Sequence, residues 1–142
     1  TMNILRTMDN KVDLRQMFTE KFGVQQCVLA VQEALMREHH AELDEQMIHS
    51  FLRYSTVGID EELEKTMKLT ASDYAKKVFR KLREHGYDPR IMKLYVVGGG
   101  GCLLKNFFPI APDKIIINSD ICATAKGYEY MADVQNVTGG VK

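Results

Sequence analysis

No apolar run in this chain approaches the roughly 20 residues that a bilayer-spanning helix requires, and its first residues carry no signal-peptide pattern. A membrane span or a secretory leader is therefore not expected. Neither charge is in excess, since nineteen basic residues balance nineteen acidic ones. A dedicated nucleic-acid surface usually announces itself as a basic surplus or stripe, so direct nucleic-acid binding is not expected either. Cysteine is scarce and odd in number: Cys27, Cys102 and Cys122 lie in apolar settings without a Cys-x-x-Cys pair. That disfavours a disulfide framework or a thiolate metal site and suits three buried free thiols in a reducing cytoplasm. Repeats and low-complexity segments are absent, so one domain is expected. At 142 residues it is long enough to bury a real core.

What is present is organised around Lys93 to Phe107. Leu94, Tyr95, Val96 and Val97, with Met92 before them, form a short apolar, β-favouring run that stops at four consecutive glycines. Such a run bounded by turn residues predicts a strand buried on both faces. Gly98, Gly99, Gly100 and Gly101 free the backbone to take positive φ and to approach something a side chain would block. Cys102, Leu103 and Leu104 then read as the first turn of a helix. Strand, glycine loop and helix N-terminus together present N–H groups to a phosphate or nucleotide. A tight turn with no ligand is the competing reading.

Ahead of that stretch, 1–8 and 11–18 alternate with near period 2 across Asp9-Asn10, which predicts a hairpin with a primed turn. A further short strand is expected near Thr19 to Phe22. After Gly23, the positions Val24, Val28, Val31 and Leu35 predict a helix with one apolar stripe. His39 and His40 are adjacent, so they point to different sides of a helix and suit its solvated end better than a metal. A second helix is expected from Asp44 to Tyr54, burying Met47, Ile48, Phe51 and Leu52 with His49 and Arg53 on its flank. Ile59 to Met67 reads as a short helix whose acidic first turn matches the dipole. Thr70 to His85 reads as a separate helix with a Thr70/Asp73 capping box and Gly86 at its end. Its basic residues at 76, 77, 80, 81 and 83 read as a solvated surface. Lys114 to Asn118 predicts another buried strand, and Ser119 caps a last helix to about Asp133, rich in small residues at Ala123, Ala125 and Gly127. Residues 138–142 are expected to be a frayed tail. The order implies an α/β fold: antiparallel strands first, then parallel αβα units, with a helical insertion over about 24–68.

These residues resemble a family. Val96-Val97-Gly98-Gly99-Gly100-Gly101 is similar to the adenosine motif of the actin, sugar-kinase and Hsp70 superfamily. Ala123-Thr124-Ala125-Lys126-Gly127-Tyr128 resembles its second connecting helix, and Thr1 with the following strand resembles the end of its second phosphate hairpin. Within the superfamily the layout is most similar to the ParM or StbA-like bacterial actins of plasmid segregation. Phe22-Gly23-Val24, Met47-Ile48-His49 and the spacing to the glycines carry that likeness. The resemblance implies an RNase H-like mixed sheet and covers the whole chain, but only the second, C-terminal half of such a protein. It implies that Gly98 to Gly101 lie against the adenosine and α-phosphate of ATP, and that Thr1 lies beside the β- and γ-phosphates. Gln46, His49, Ser50 and Arg53 would sit above the base, and Ala123, Ala125 and Gly127 would form the interdomain hinge. It also implies Mg2+ held by residues of the N-terminal half, cytoplasmic filaments formed by self-association, and an adaptor protein bound to plasmid DNA. The metal-binding and water-orienting residues of that superfamily have no counterpart in these 142 positions, so no catalytic residue is assigned and this chain alone is expected to be inactive.

Two other readings stay open. A Rossmann-type dinucleotide module needs an early Gly-x-Gly-x-x-Gly with an acidic residue about 20 positions on, whereas these glycines are contiguous and late. A non-catalytic α/β protein-interaction domain is the stronger alternative; nucleotide-dependent thermal shift distinguishes it.

Overall fold

The computed structural model describes residues 1–108, 115–118, 129, 130 and 133. Two strands open the chain, β1 (Met2–Met8) and β2 (Lys11–Glu20), paired antiparallel. Asp9 and Asn10 both take left-handed φ, 51° and 60°. That is the turn geometry whose twist matches the flanking strands, so the hairpin forms as expected. Its register breaks between Leu5 and Thr7, where the four residues 13–16 of β2 lie opposite Arg6 alone. The expected separate strand at Thr19 to Phe22 does not form, because Thr19 and Glu20 still pair with Asn3 and Met2 at the end of β2.

Three helices follow. The first, α1 (Val24–His39), starts where the Gly23 N–H donates to Gln26 Oε1 at 2.8 Å. It ends at His40, which takes φ 50° and donates its N–H to the Met36 carbonyl. The second, α2 (Glu45–Tyr54), is capped by Asp44, whose carboxylate accepts from the Gln46 N–H at 3.3 Å. The third, α3 (Glu61–Glu84), is one continuous helix of 24 residues and not the expected pair. Nothing between Met67 and Thr70 breaks a helix, and the Thr70 hydroxyl donates back to the Thr66 carbonyl at 2.8 Å instead of capping a new start.

The second half of the fold is a β-α-β unit. β3 (Leu94–Val97) leads into α4 (Gly100–Phe107), and β4 (Ile115–Asn118) returns parallel to β3, pairing Leu94 with Ile115 through Val97 with Asn118. The described residues thus form an α/β fold with a small antiparallel sheet and a small parallel sheet. One core serves both. Met2 and Ile4 from β1 and Leu94, Val96 and Ile115 from the parallel pair all pack on the cluster of Val28, Val31, Leu35, Phe51, Met67 and Ala75.

The expectation that β3 and β4 are buried on both faces is corrected. Leu94, Val96 and Ile115 are half-buried, but Tyr95 is 65%, Val97 53% and Ile116 48% exposed. Among the described residues, α4 and the helical core cover only one side of these strands. The tail at 138–142, the Ser119 cap and most of the last expected helix, including Cys122, Ala123, Ala125 and Gly127, lie outside the described residues.

Of the two thiols among the described residues, Cys27 is buried as expected and Cys102 is not. Cys27 is fully buried, and that burial pushes its thiol up to about 12, while Cys102 on α4 is half-exposed. A native chain treated with a thiol reagent near neutral pH should therefore label at Cys102 while Cys27 reacts only after unfolding, since thiolate is the reacting form. Peptide mapping after pulse labelling reads this directly, and native labelling of Cys27 would contradict the packing.

Candidate functional site

The four glycines divide by role. Gly98 takes φ +97°, a conformation that side chains rarely adopt, and its N–H donates to the Asn118 carbonyl at 3.1 Å. That bond ties the loop to the end of β4. Gly101 is buried against the sheet: a Cβ there would come within 2.7 Å of Ile117 Cγ2. Its N–H donates to the Gly98 carbonyl at 3.0 Å. These two glycines are demanded by the fold itself, one by backbone angle and one by helix-on-strand contact. Gly99 sits in an ordinary right-handed conformation, φ −60° and ψ −29°. Gly100 opens α4, and a Cβ built on it meets nothing within 4 Å. The first turn of a helix leaves N–H groups without acceptors in the helix, and α4 begins with no acidic residue to occupy them. The chemistry on offer is a neutral, donor-rich loop that suits an anionic or polar ligand.

The other expected site residues are not gathered onto this loop by any contact among the described residues. Thr1 lies against Gly23, where an added Cβ would collide with the Thr1 backbone nitrogen. The Gly23 carbonyl in turn accepts from Tyr74 Oη at 2.8 Å. Burial, with Cys27 alongside, pushes the Tyr74 phenol up to about 12, so it stays a donor. Gln46, His49, Ser50 and Arg53 are all exposed on one side of α2, opposite buried Ile48, Phe51 and Leu52. His49 lies 3.6 Å from Glu45 across one helical turn. The Arg53 guanidinium lies over the Tyr54 ring, 5.5 Å from its centroid. The hinge residues Ala123, Ala125 and Gly127 lie outside the described residues.

What joins α2 to the glycine loop is a residue that sequence reading passed over. Asn106, in the last turn of α4, donates its amide to the carbonyls of Leu52 at 3.0 Å and Arg53 at 2.9 Å. Beside it, Phe51 and Phe107 meet with ring centroids 5.3 Å apart. One amide thus satisfies two carbonyls at the end of α2 that have no partner within that helix. The junction lies six residues after Gly100, about 9 Å along the axis at 1.5 Å per residue. Asn106→Leu should therefore destabilise the fold by about 1–3 kcal/mol, the cost of part-buried acceptors left unmet. A chemical-denaturation midpoint unchanged by that substitution would mean the pair of bonds contributes nothing.

Two further polar links fasten the scaffold. Glu20 at the end of β2 accepts from His85 Nε2 at 2.7 Å, and Lys81 lies 3.7 Å away. The hydrogen bond from His85, then Lys81, holds the Glu20 carboxyl below its usual range. His39, expected in solvent, instead lies 2.7 Å from the buried Thr66 hydroxyl, which donates to Glu38 at 3.2 Å. Thr66 alone in an apolar stripe was the only sequence signal for that contact.

Two shallow recesses among the described residues lie away from the glycine loop: one runs along Gln32, Met36 and Glu42, the other lies beside Arg83, Tyr87 and Asp88. Among the described residues no cluster of His, Cys, Asp or Glu is placed to hold a metal ion, and no helix is long and apolar enough to cross a membrane. No protein-family model matches this chain, and no curated protein or solved structure shows significant similarity to it.

Proposed function

We propose that this chain is the C-terminal half of an actin-like ATPase of the ParM or StbA-like kind, holding ATP in a cleft whose other wall is an N-terminal half. The observation that carries this reading is Gly100. Gly98 and Gly101 answer to backbone angle and packing, but Gly100 faces open space at the mouth of a helix, and no contact among the described residues accounts for it. A nucleotide lying against that position does account for it, because any side chain there would occupy the ligand's place. The loop would bind the adenosine and α-phosphate through its N–H groups. Mg2+ would be held by carboxylates of the N-terminal half, since among the described residues no group of carboxylates is placed to hold it. An RNase H-like mixed sheet would require the antiparallel and parallel pairs to join edge to edge; among the described residues they are two sheets, and what favours the reading is the core they share. Cytoplasmic filaments, and an adaptor linking them to plasmid DNA, complete the proposal.

The test has two arms. The intact parent should melt at a higher temperature with ATP present, because a ligand bound only to the folded form stabilises it by mass action; a pure interaction domain would not shift. The 142-residue chain should melt cooperatively, hydrolyse no ATP and bind nucleotide at best weakly, since each charge-assisted phosphate contact supplied from elsewhere is worth roughly 1.5–3 kcal/mol. Turnover by this chain that survives substitution of Gly99 and Gly100 would place the chemistry elsewhere.

A further inference from the structure

The continuity of α3 brings two separately read stretches into one register, and its outer side is self-complementary. Glu62, Lys65, Leu69, Asp73 and Lys76 are all exposed and follow one another at spacings of 3, 4, 4 and 3. At 100° per residue they fall within an arc of about 80° on one side of the helix. The spacing is a palindrome centred on Leu69, and the charges invert about that centre. Leu69 itself is 60% exposed, a large aliphatic side chain among charges. The ion pairs already present here are local: Lys76 stands 3.8 Å from Asp73, and Lys68 is 3.2 Å from Glu64. Among the described residues Lys65, Glu62 and Lys77 make no ion pair.

We propose that this side of α3 docks a second copy of the chain, α3 against α3 antiparallel, with the two-fold axis at Leu69. Residue i then faces residue 138 − i of the partner. Leu69 meets Leu69, Lys65 meets Asp73, Glu62 meets Lys76, and the flanking Glu61 meets Lys77. Between Glu61 and Lys77, where the two helices overlap, each of these charged positions opposes the other sign and Leu69 opposes itself; Arg80 and Arg83 continue the same side beyond the overlap. An isologous two-fold contact requires this inversion, because the same patch must complement itself. A nucleic acid would use the basic residues but leave Glu61, Glu62 and Asp73 facing phosphates, so over the stretch from Glu61 to Lys77 a second copy fits and a polyanion does not. The contact spans about 21 Å of helix from Glu62 to Lys76, which places it at the small end of specific interfaces. A reversible dimer with a dissociation constant on the order of 10–100 µM is expected. This goes beyond the nucleotide reading and does not depend on it.

Sedimentation equilibrium of the 142-residue chain across 5–500 µM is the test. Dimer should appear at the upper concentrations and weaken several-fold in about 0.5 M salt, which screens exposed pairs. Leu69→Asp should weaken it at least about tenfold with an unchanged melting temperature. Glu62→Lys or Lys76→Glu alone should also weaken it, and the double exchange should restore it. Leu69→Cys should cross-link to itself under mild oxidation, beyond any background from the native thiols, because only a residue on the axis meets its own copy. A chain monomeric throughout would overturn the proposal. So would a dimer indifferent to Leu69→Asp, a double exchange that fails to rescue, or a monomer that binds a mixed-sequence DNA duplex through Lys76 and Lys77.

Discussion

Gly100→Val in the intact parent should weaken ATP binding about a hundredfold while leaving the fold in place, and Gly101→Val should instead destabilise the fold. The two positions are neighbours, so the contrast isolates ligand from scaffold. At Gly100 a Cβ meets nothing within 4 Å, and the residue is helical with no positive φ to strain. A valine there costs little in the unliganded protein and stands where the nucleotide is proposed to lie. An affinity loss of two orders of magnitude, roughly 3 kcal/mol, is expected. At Gly101 a Cβ comes within 2.7 Å of Ile117 Cγ2, and Val96 Cγ1 closes the site from 3.8 Å. Relief requires α4 to move off β4, and overpacking of this kind costs about 1–3 kcal/mol. Isothermal titration with ATP and thermal melting, run on both variants, separate the two effects. Wild-type affinity in Gly100→Val would remove the loop from the nucleotide site.

That contrast also shows how much of the site was legible in the sequence. Four glycines after an apolar run announce a strand–loop–helix junction, and the junction is there. Sequence cannot divide their roles, because the division depends on Ile117 and Asn118, which arrive sixteen or more residues later by forming the parallel neighbour strand. Asn106 was passed over for the same reason. Within Leu103-Leu104-Lys105-Asn106-Phe107 it is one polar residue on a short helix, and its meaning lies in two carbonyls more than fifty positions away.

The turn of the hairpin was readable, since a two-residue link between alternating runs fixes its own geometry, but the register break opposite Arg6 and the run of β2 on to Glu20 were not. Helix α3 was misread where local signals conflict with continuity. Thr70 three residues before Asp73 looks like a start, yet a hydroxyl can also fold back on its own helix, and here it does. Composition does not reveal the depth of burial of β3: four apolar residues in a row promise a strand but not a cover for both of its sides.

The largest loss of stability should come from Phe51→Ala. Phe51 is 0% exposed and is first by volume among the fully buried side chains. It belongs to α2, whose polar side is the one proposed to lie over the base, and its ring meets Phe107 at the far end of α4. Removing it empties the junction that Asn106 spans by hydrogen bonds, so the cavity cannot close without drawing α2 and α4 together. Truncations of this kind cost about 3–5 kcal/mol, a large share of the 5–15 kcal/mol that holds a domain together. For a chain of this length the melting temperature should fall by roughly 10 °C or more. Asn106→Leu and Phe51→Ala share one junction, so the double variant should lose less than the sum of the two single losses. Strict additivity in that cycle would mean that α2 is held to α4 at two independent points, and that the outer side of α2 could shift without the glycine loop following it.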